Sequence, residues 1–170
     1  MTAAPTASSI DRRFSDPTAA PLAWEDAAAA LAGAELYWLT TVRADGRPHV
    51  TPLIGVVESG TFCFCTGLGE QKARNLDHSP LVAVTTGVAT WAAGLDVVVE
   101  GVAARVTDDA ALTRLADAWV AKYGEDWRFE VADGMFVAQN DGAAVFAVEP
   151  AKVIAFAKEP HGQTTFRFDG

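Results

Sequence analysis

The sequence predicts a mainly β fold, a Greek-key barrel of six to eight short antiparallel strands with helical insertions. Segments rich in β-branched and aromatic residues recur along the chain, and Asp45-Gly46 and Ser59-Gly60 supply tight turns between the first of them. A closed barrel also removes the edges that an open sheet of this composition would expose. We assign residues 21–170 to one barrel domain and residues 1–20, rich in Ala, Pro, Thr and Ser, to a flexible arm.

The strands and turns alternate from the first helix onward. A short helix over residues 21–32 places Trp24 and Leu31 on one face, and Gly33 follows it. Period-two patterns and β-branched content then predict strands over Glu35–Arg43, Pro48–Glu58, Thr61–Thr66, Leu81–Thr86, Val97–Val106, Val145–Glu149, Val153–Ala157 and Thr165–Phe168.

One long helix interrupts the strands. Apolar residues recur at helical spacing over Asp109–Tyr123, Asp108 is placed to cap the start, and Gly124 ends the run. A short helical piece over Glu125–Val131 is predicted to follow. The long helix must cover one side of the sheet.

The charge balance restricts the partners of the protein. A net charge of −9 argues against broad binding to nucleic acid or anionic membranes, so an anionic ligand requires a local basic cluster. No apolar run approaches the roughly 20 residues of a membrane span, and the first residues lack the pattern of a signal peptide. We expect a cytoplasmic protein that acts on a small molecule.

Two pairs of residues are given structural roles. Cys63 and Cys65 lie two apart on one strand, so their side chains share a face but cannot easily form a disulfide with each other. A metal site is not predicted, because no histidine or third cysteine lies near them in the sequence. We interpret them as reduced core thiols. Asp96 and Glu100 also share a strand face, and we expect them to be solvated or in ion pairs.

Isolated aromatic and imidazole side chains receive similar interpretations. Trp38, Trp119 and Trp127 are expected in the core or at a subunit interface. Isolated histidines beside strands are more often hydrogen-bonded structural groups than proton donors, and we expect this of His49 and His161. No arrangement of nucleophile and base suggests a catalytic side chain.

The junction at residues 66–76 is the most informative stretch. A strand ends at Gly67 and Gly69 and gives way to a helical turn, so backbone N–H groups and the side chains of Lys72 and Arg74 could hold a phosphate. The alternative is a solvated turn with ordinary surface charges, and Glu70 makes the patch less basic.

The order and spacing of several motifs resemble a known family. The motifs are Tyr37–Val42, Asp45–Pro52, Phe62–Thr66, Lys72–Leu76, Thr90-Trp91, Gly94–Gly101 and Pro150–Val153. Through them, residues 22–168 resemble the pyridoxamine 5′-phosphate oxidase-like split β-barrels that bind FMN or a deazaflavin, in the branch common in Ala-rich actinobacterial proteins.

The resemblance implies a homodimer with a cofactor site between its subunits. In such barrels the second strand flanks the flavin ring, the third strand ends near the ribityl-phosphate, and a lysine binds the phosphate. The implied residues are Val50, Thr51, Pro52 and Leu53 beside the ring, Thr66, Lys72, Arg74 and Asn75 near the phosphate, and Thr90, Trp91 and Gln163 facing the ring from the partner.

The resemblance also implies an oxidoreductase whose chemistry belongs to its cofactor. We expect hydride or two-electron transfer between the cofactor and a small unsaturated or carbonyl substrate. The alternative is a non-catalytic carrier or sensor of flavin, deazaflavin or haem on the same barrel.

The sequence departs from its relatives at several points. Glu70 stands where they often have a basic residue, which favours an F-420-type deazaflavin over FMN, because FMN depends more on the phosphate site. Ile54 and Thr165 replace a frequent aromatic residue and a frequent arginine, which bears on the ring pocket and the substrate. We also expect no C-terminal segment of the kind that true pyridoxamine 5′-phosphate oxidases use to grip pyridoxal phosphate, and we therefore do not expect that activity.

Overall fold

The structure is a computed structural model that describes residues 4–138 and 141–169. Within those residues the backbone forms eleven strands and three α-helices, with short 3-10 helices at Arg12–Phe14 and Glu125–Trp127. The strands are β1 (Ala7–Ile10), β2 (Tyr37–Val42), β3 (Pro48–Leu53), β4 (Val56–Glu58), β5 (Thr61–Gly67), β6 (Leu81–Thr86), β7 (Leu95–Val106), β8 (Glu130–Ala132), β9 (Met135–Ala138), β10 (Asp141–Lys158) and β11 (His161–Arg167). The helices are α1 (Trp24–Gly33), α2 (Gln71–His78) and α3 (Asp109–Tyr123).

The paired strands are all antiparallel, in the order β1-β11-β10-β7-β6-β2-β3. The first half of β10 also pairs with β5 and β9, whereas its second half pairs with β11. A bulge between Pro150 and Lys152 bends β10 where it passes from one set of partners to the other. This long bent strand joins the two parts of the sheet, and the predicted mainly β split-barrel class is confirmed.

Two apolar cores lie on opposite sides of this sheet. The inner core contains Tyr37, Phe62 and Phe64, all essentially buried, and α1 packs against it. The outer core lies under α3, where Trp119 packs edge-on against Phe136 at a ring separation of 5.5 Å. The expectation of a buried Trp119 is confirmed, whereas Trp38 and Trp127 are exposed.

The boundaries of α3 agree with the sequence prediction. Asp108 accepts a hydrogen bond from the backbone N–H of Ala111 at 2.8 Å, and Gly124 ends the helix with φ of +88°. A side-chain cap and a glycine in the left-handed region define both ends. No helix within the described part of the chain is both long and apolar enough to cross a membrane.

The structure differs from the sequence prediction in four places. Ala7–Ile10, assigned to the flexible arm, pairs with β11, and Ala19 beyond it is buried. The strand expected over Pro48–Glu58 is broken at residues 54–55, and β10 runs through Pro150 as one strand. The helical piece expected over Glu125–Val131 is limited to Glu125–Trp127, and β8 and β9 form a hairpin after it.

Candidate cofactor site

The junction of β5 and α2 forms an anion cradle that the protein's own carboxylate occupies. The side chain of Lys72 is only 8% exposed, and its ammonium group is paired with Oε2 of Glu70. The other carboxylate oxygen of Glu70 accepts a hydrogen bond from the backbone N–H of Gly67 at 3.0 Å. Glu70 therefore holds two donors that a phosphate at this junction would use.

The charge state of Glu70 follows from these contacts. Partial burial raises the pKa of its carboxyl group, but the hydrogen bonds from Lys72 and Gly67 outweigh burial and leave the pKa below its usual value. Glu70 is consequently ionised at neutral pH. An incoming anion at Lys72 would meet a negative charge.

Buried amide and hydroxyl groups support the cradle from within. The side-chain amide of Asn75 donates to Oγ1 of Thr41 at 2.8 Å, and Gln71 donates to Oδ1 of Asn75 at 2.8 Å. The bond to Thr41 ties α2 to β2, and the bond from Gln71 orients the amide of Asn75 within the helix. The sequence reasoning predicted Asn75 but missed Thr41, although its inward position in the alternating strand Tyr37–Val42 was a usable signal.

His49 extends this hydrogen-bonded group to β3. Its Nδ1 atom lies 3.5 Å from Oγ1 of Thr41 and 3.4 Å from Oγ1 of Thr51. Burial lowers the pKa of His49, and the positive charges of Arg43 and Lys72 lower it further. His49 is thus a hydrogen-bonded link between strands, as the sequence analysis expected.

Strand β3 presents the residues that were predicted to flank a ring. Thr51 and Leu53 pair opposite the buried residues of β2 and point inward, whereas Val50 and Pro52 lie on the outer face. Among the described strands β3 pairs only with β2, so one backbone edge is open. That open edge is compatible with a planar ligand laid beside it.

The corner between β3 and β4 is held by the last turn of α3. Nζ of Lys122 donates to the carbonyl oxygen of Gly55 at 2.9 Å and to the hydroxyl oxygen of Tyr37 at 2.8 Å. The hydroxyl of Tyr123 also donates to Gly55, at 2.8 Å. Burial lowers the pKa of Lys122 to about 8. The sequence reasoning missed this brace, because Lys122 reads as a surface residue in the helical pattern.

The remaining predicted residues lie elsewhere in the chain. Arg74 is on the exposed face of α2, and Thr90, Trp91 and Gln163 lie in the β6–β7 loop and on β11. Four strands, β10, β7, β6 and β2, separate β11 from β3 in the sheet. One chain therefore brings Thr51, Thr66, Lys72 and Asn75 into one region but leaves Thr90, Trp91 and Gln163 apart from it.

Two predictions about charged and sulfur groups are confirmed. Lys152 lies 2.7 Å from Glu100, and Lys158 lies 3.1 Å from Asp96, so the two carboxylates are in ion pairs. Cys63 and Cys65 are free thiols. Burial raises their pKa values to about 12 and about 11, which is the behaviour of unreactive core thiols.

A bent strand shared by two half-sheets is the arrangement of a split barrel. Residues 23–156 match the family model described as pyridoxamine 5′-phosphate oxidase. The chain belongs to this family. No curated protein sequence matches it significantly.

Solved structures agree with this assignment. A conserved hypothetical protein of Mycobacterium tuberculosis superposes with a TM-score of 0.67 at 20% identity, over 82% of this chain and 87% of that one. A haem-binding protein of Mycobacterium smegmatis superposes with a TM-score of 0.70 at 19% identity, over 88% of this chain and 60% of that one. An FAD-binding protein of the same organism superposes with a TM-score of 0.55 at 21% identity, over 88% of this chain and 100% of that one. At these identities the similarity establishes the fold alone.

Proposed function

We propose that the protein is a homodimeric oxidoreductase that binds a deazaflavin of the F-420 type, with FMN as the alternative, between its subunits. The observation that carries the proposal is the buried ammonium group of Lys72, held at the glycine junction between β5 and α2. A buried lysine is rare without a function or a partner. Here the partner is a half-exposed carboxylate that a ligand can displace.

The outer face of the sheet supports a dimer. Trp38, Val50, Leu81 and Val102 are exposed on it, and a shallow groove of about 400 Å³ runs between β2, β6 and β7. Large exposed apolar surfaces of this kind commonly mark subunit interfaces. A second copy would cover the face and bring its own Thr90, Trp91 and Gln163 toward the open edge of β3.

The side chains have roles in binding and in excluding water. Lys72, Thr66 and the N–H groups of the turn hold the phosphate, Asn75 fixes α2, and residues 50–53 lie along the ring. A bound deazaflavin or flavin supplies hydride or two-electron chemistry. The proposal assigns no nucleophile or general base to the protein, and Arg74 has a minor role from the exposed face of α2.

Glu70 supports the preference for the deazaflavin. FMN ends in a phosphate monoester of nearly two negative charges, whereas the phosphate of the deazaflavin is an internal diester with one. Repulsion by the carboxylate therefore costs FMN more. The deazaflavin also has a tail beyond the phosphate, whose contacts do not depend on the cradle.

Titration with each cofactor tests the proposal. We expect the deazaflavin to bind at least several-fold more tightly than FMN, and Lys72→Ala to weaken binding by about 1.5–3 kcal/mol, or roughly tenfold or more, because a charged hydrogen bond is lost. Arg114→Ala, which removes the same charge from the exposed face of α3, is the control. Equal affinities of Lys72→Ala and wild type for both cofactors would disprove the phosphate assignment.

A second assay separates an enzyme from a carrier. The protein is mixed with reduced cofactor and a panel of small unsaturated and carbonyl acceptors, and cofactor oxidation is followed by absorbance. Acceptor-dependent oxidation above the rate without protein is expected. Tight cofactor binding without such turnover would indicate that the protein is a carrier and not an enzyme.

A further inference from the structure

A pocket of about 310 Å³ lies on the outer face of the sheet, beneath the β6–β7 loop. It is lined by Trp91, Asp96, Phe156, Ala157, Lys158 and His161. Gln163 pairs with Phe156, which pairs with Asp96, so these three side chains form a row across neighbouring strands on one face. Residues far apart in the sequence therefore converge on one small site.

The loop over this pocket is held in a fixed conformation. Nζ of Lys158 donates to the carbonyl oxygens of Val88 and Thr90, each at 2.6 Å. The hydroxyl of Thr90 donates to the carbonyl of Ala93 at 2.7 Å, which closes the loop. Gly94 has φ of +99°, and a Cβ atom there would lie 2.0 Å from Val88. Glycine at position 94 therefore suits this loop conformation better than any residue with a Cβ atom.

The fixed loop exposes a large aromatic side chain. Trp91 is 92% exposed, so both faces of its indole ring are accessible. Exposing an indole costs hydrophobic free energy, and a rigid aromatic ring is a good stacking surface for another planar group. Phe156 supplies a second aromatic wall.

The polar groups of the pocket define the charge of a suitable ligand. The side chain of Lys158 is only 11% exposed, and its ammonium group is bonded to two carbonyl oxygens and paired with Asp96, so it is not available to an anion. The side chain of Asp96 is 39% exposed and can accept a hydrogen bond from a ligand. Because the ion pair is neutral and the chain carries −9, an anionic ligand is disfavoured.

We propose that this pocket is the substrate subsite, and that it takes a neutral, planar conjugated molecule that carries a hydrogen-bond donor. The ring stacks on Trp91, and the donor bonds to the carboxylate of Asp96. The inference rests on the proposed function, because in the proposed dimer the same loop would face the cofactor of the other subunit.

Calorimetric titration of the cofactor-free protein tests the pocket with three probes. 2-Naphthol is neutral and carries a donor, 2-methoxynaphthalene lacks the donor, and 2-naphthoate is an anion. We expect 2-naphthol to bind about tenfold more tightly than the methoxy compound, because one hydrogen bond to a charged acceptor is lost. The naphthoate should bind most weakly. Equal binding of all three probes, or no binding, would overturn the proposal.

Variants assign the binding to these residues. Trp91→Ala should lower the affinity for 2-naphthol about tenfold through lost stacking. Trp127→Ala removes another exposed indole, beyond α3, and should have no effect. Asp96→Asn should reduce the preference for 2-naphthol over the methoxy compound. The proposal is wrong if Trp91→Ala binds 2-naphthol as wild type does while circular dichroism shows the same fold.

A competition experiment separates this inference from the proposed function. Failure of wild type to bind either cofactor contradicts the proposed function, whereas the naphthol titrations need no cofactor. With deazaflavin bound, the affinity for 2-naphthol should be equal or higher. Competitive loss of either ligand would mean that the pocket seats the cofactor ring, which would overturn the substrate assignment.

Discussion

Replacing Glu70 with glutamine should improve FMN binding. The carboxylate of Glu70 contacts both Lys72 and the N–H of Gly67, so a phosphate that takes these donors lies close to it. Glutamine has nearly the same shape, removes the charge and replaces one acceptor oxygen with an NH2 donor. The effect should persist through neutral pH, since the pKa of Glu70 is held below its usual value.

The size of the effect follows from Coulomb's law. Two unit negative charges about 5 Å apart repel by about 0.8 kcal/mol at the dielectric constant of water and about 3 kcal/mol at an effective value of 20, and the second charge of the FMN phosphate about doubles these values. Because the side chain of Glu70 is half-exposed, we take about 1–2 kcal/mol, which is roughly a 5- to 30-fold gain in FMN affinity. The deazaflavin, with one charge on its phosphate, should gain less.

The assay is a fluorescence titration of wild type, Glu70→Gln and Glu58→Gln with each cofactor. Glu58 is an exposed glutamate on the β4–β5 hairpin, and its substitution controls for the change in net charge. The reasoning is refuted if Glu70→Gln binds FMN within twofold of wild type. It is also refuted if Glu58→Gln gives the same gain, since the effect would then be nonspecific.

Two further substitutions test the fold around the site. The folded pKa of Lys122, about 8, lies below its ordinary 10.5, so the unfolded chain holds this proton longer. The free energy of unfolding of wild type, measured in urea, should therefore rise between pH 8 and pH 10.5 by about 1–2 kcal/mol relative to that of Lys122→Met, a value already reduced for solvent screening. Parallel pH profiles of the two proteins would contradict this. A Cβ at Gly101 would lie 2.2 Å from the carbonyl oxygen of Glu149, so Gly101→Ala should cost about 1–3 kcal/mol. Gly33→Ala, where a Cβ meets nothing within 4 Å, should cost nothing.

The parts of the fold that were predictable depend on local signals. The bounds of α3 follow from Asp108, the apolar spacing and Gly124, which act within a few residues. β1 has no such signal, because residues 7–10 contribute mainly backbone hydrogen bonds to β11. The continuity of β10 through Pro150 depends on a bulge opposite Gly101, which is a property of the pairing and not of either segment alone.

The site follows the same division. Lys72 was predicted from a strand, a glycine turn and basic residues along one segment, and Asn75 from the family resemblance. Asn75 bonds to Thr41, and Lys122 bonds to Gly55. These partners are determined only by packing between elements that are distant in the sequence. Lys72 and Glu70 are two residues apart, so their pairing could have been predicted from the sequence. The sequence analysis anticipated the negative charge of Glu70 but not its hydrogen bond from Gly67.

Sedimentation velocity of the protein with deazaflavin, followed at both the protein and the cofactor absorbance, tests the central claim most directly. We predict one boundary at the mass of a dimer at micromolar concentration, carrying one cofactor per chain. Lys72→Ala should keep the dimer and lose most of the bound cofactor. A monodisperse monomer, or a dimer that sediments without cofactor absorbance at saturating concentration, would contradict a cofactor site shared between two subunits.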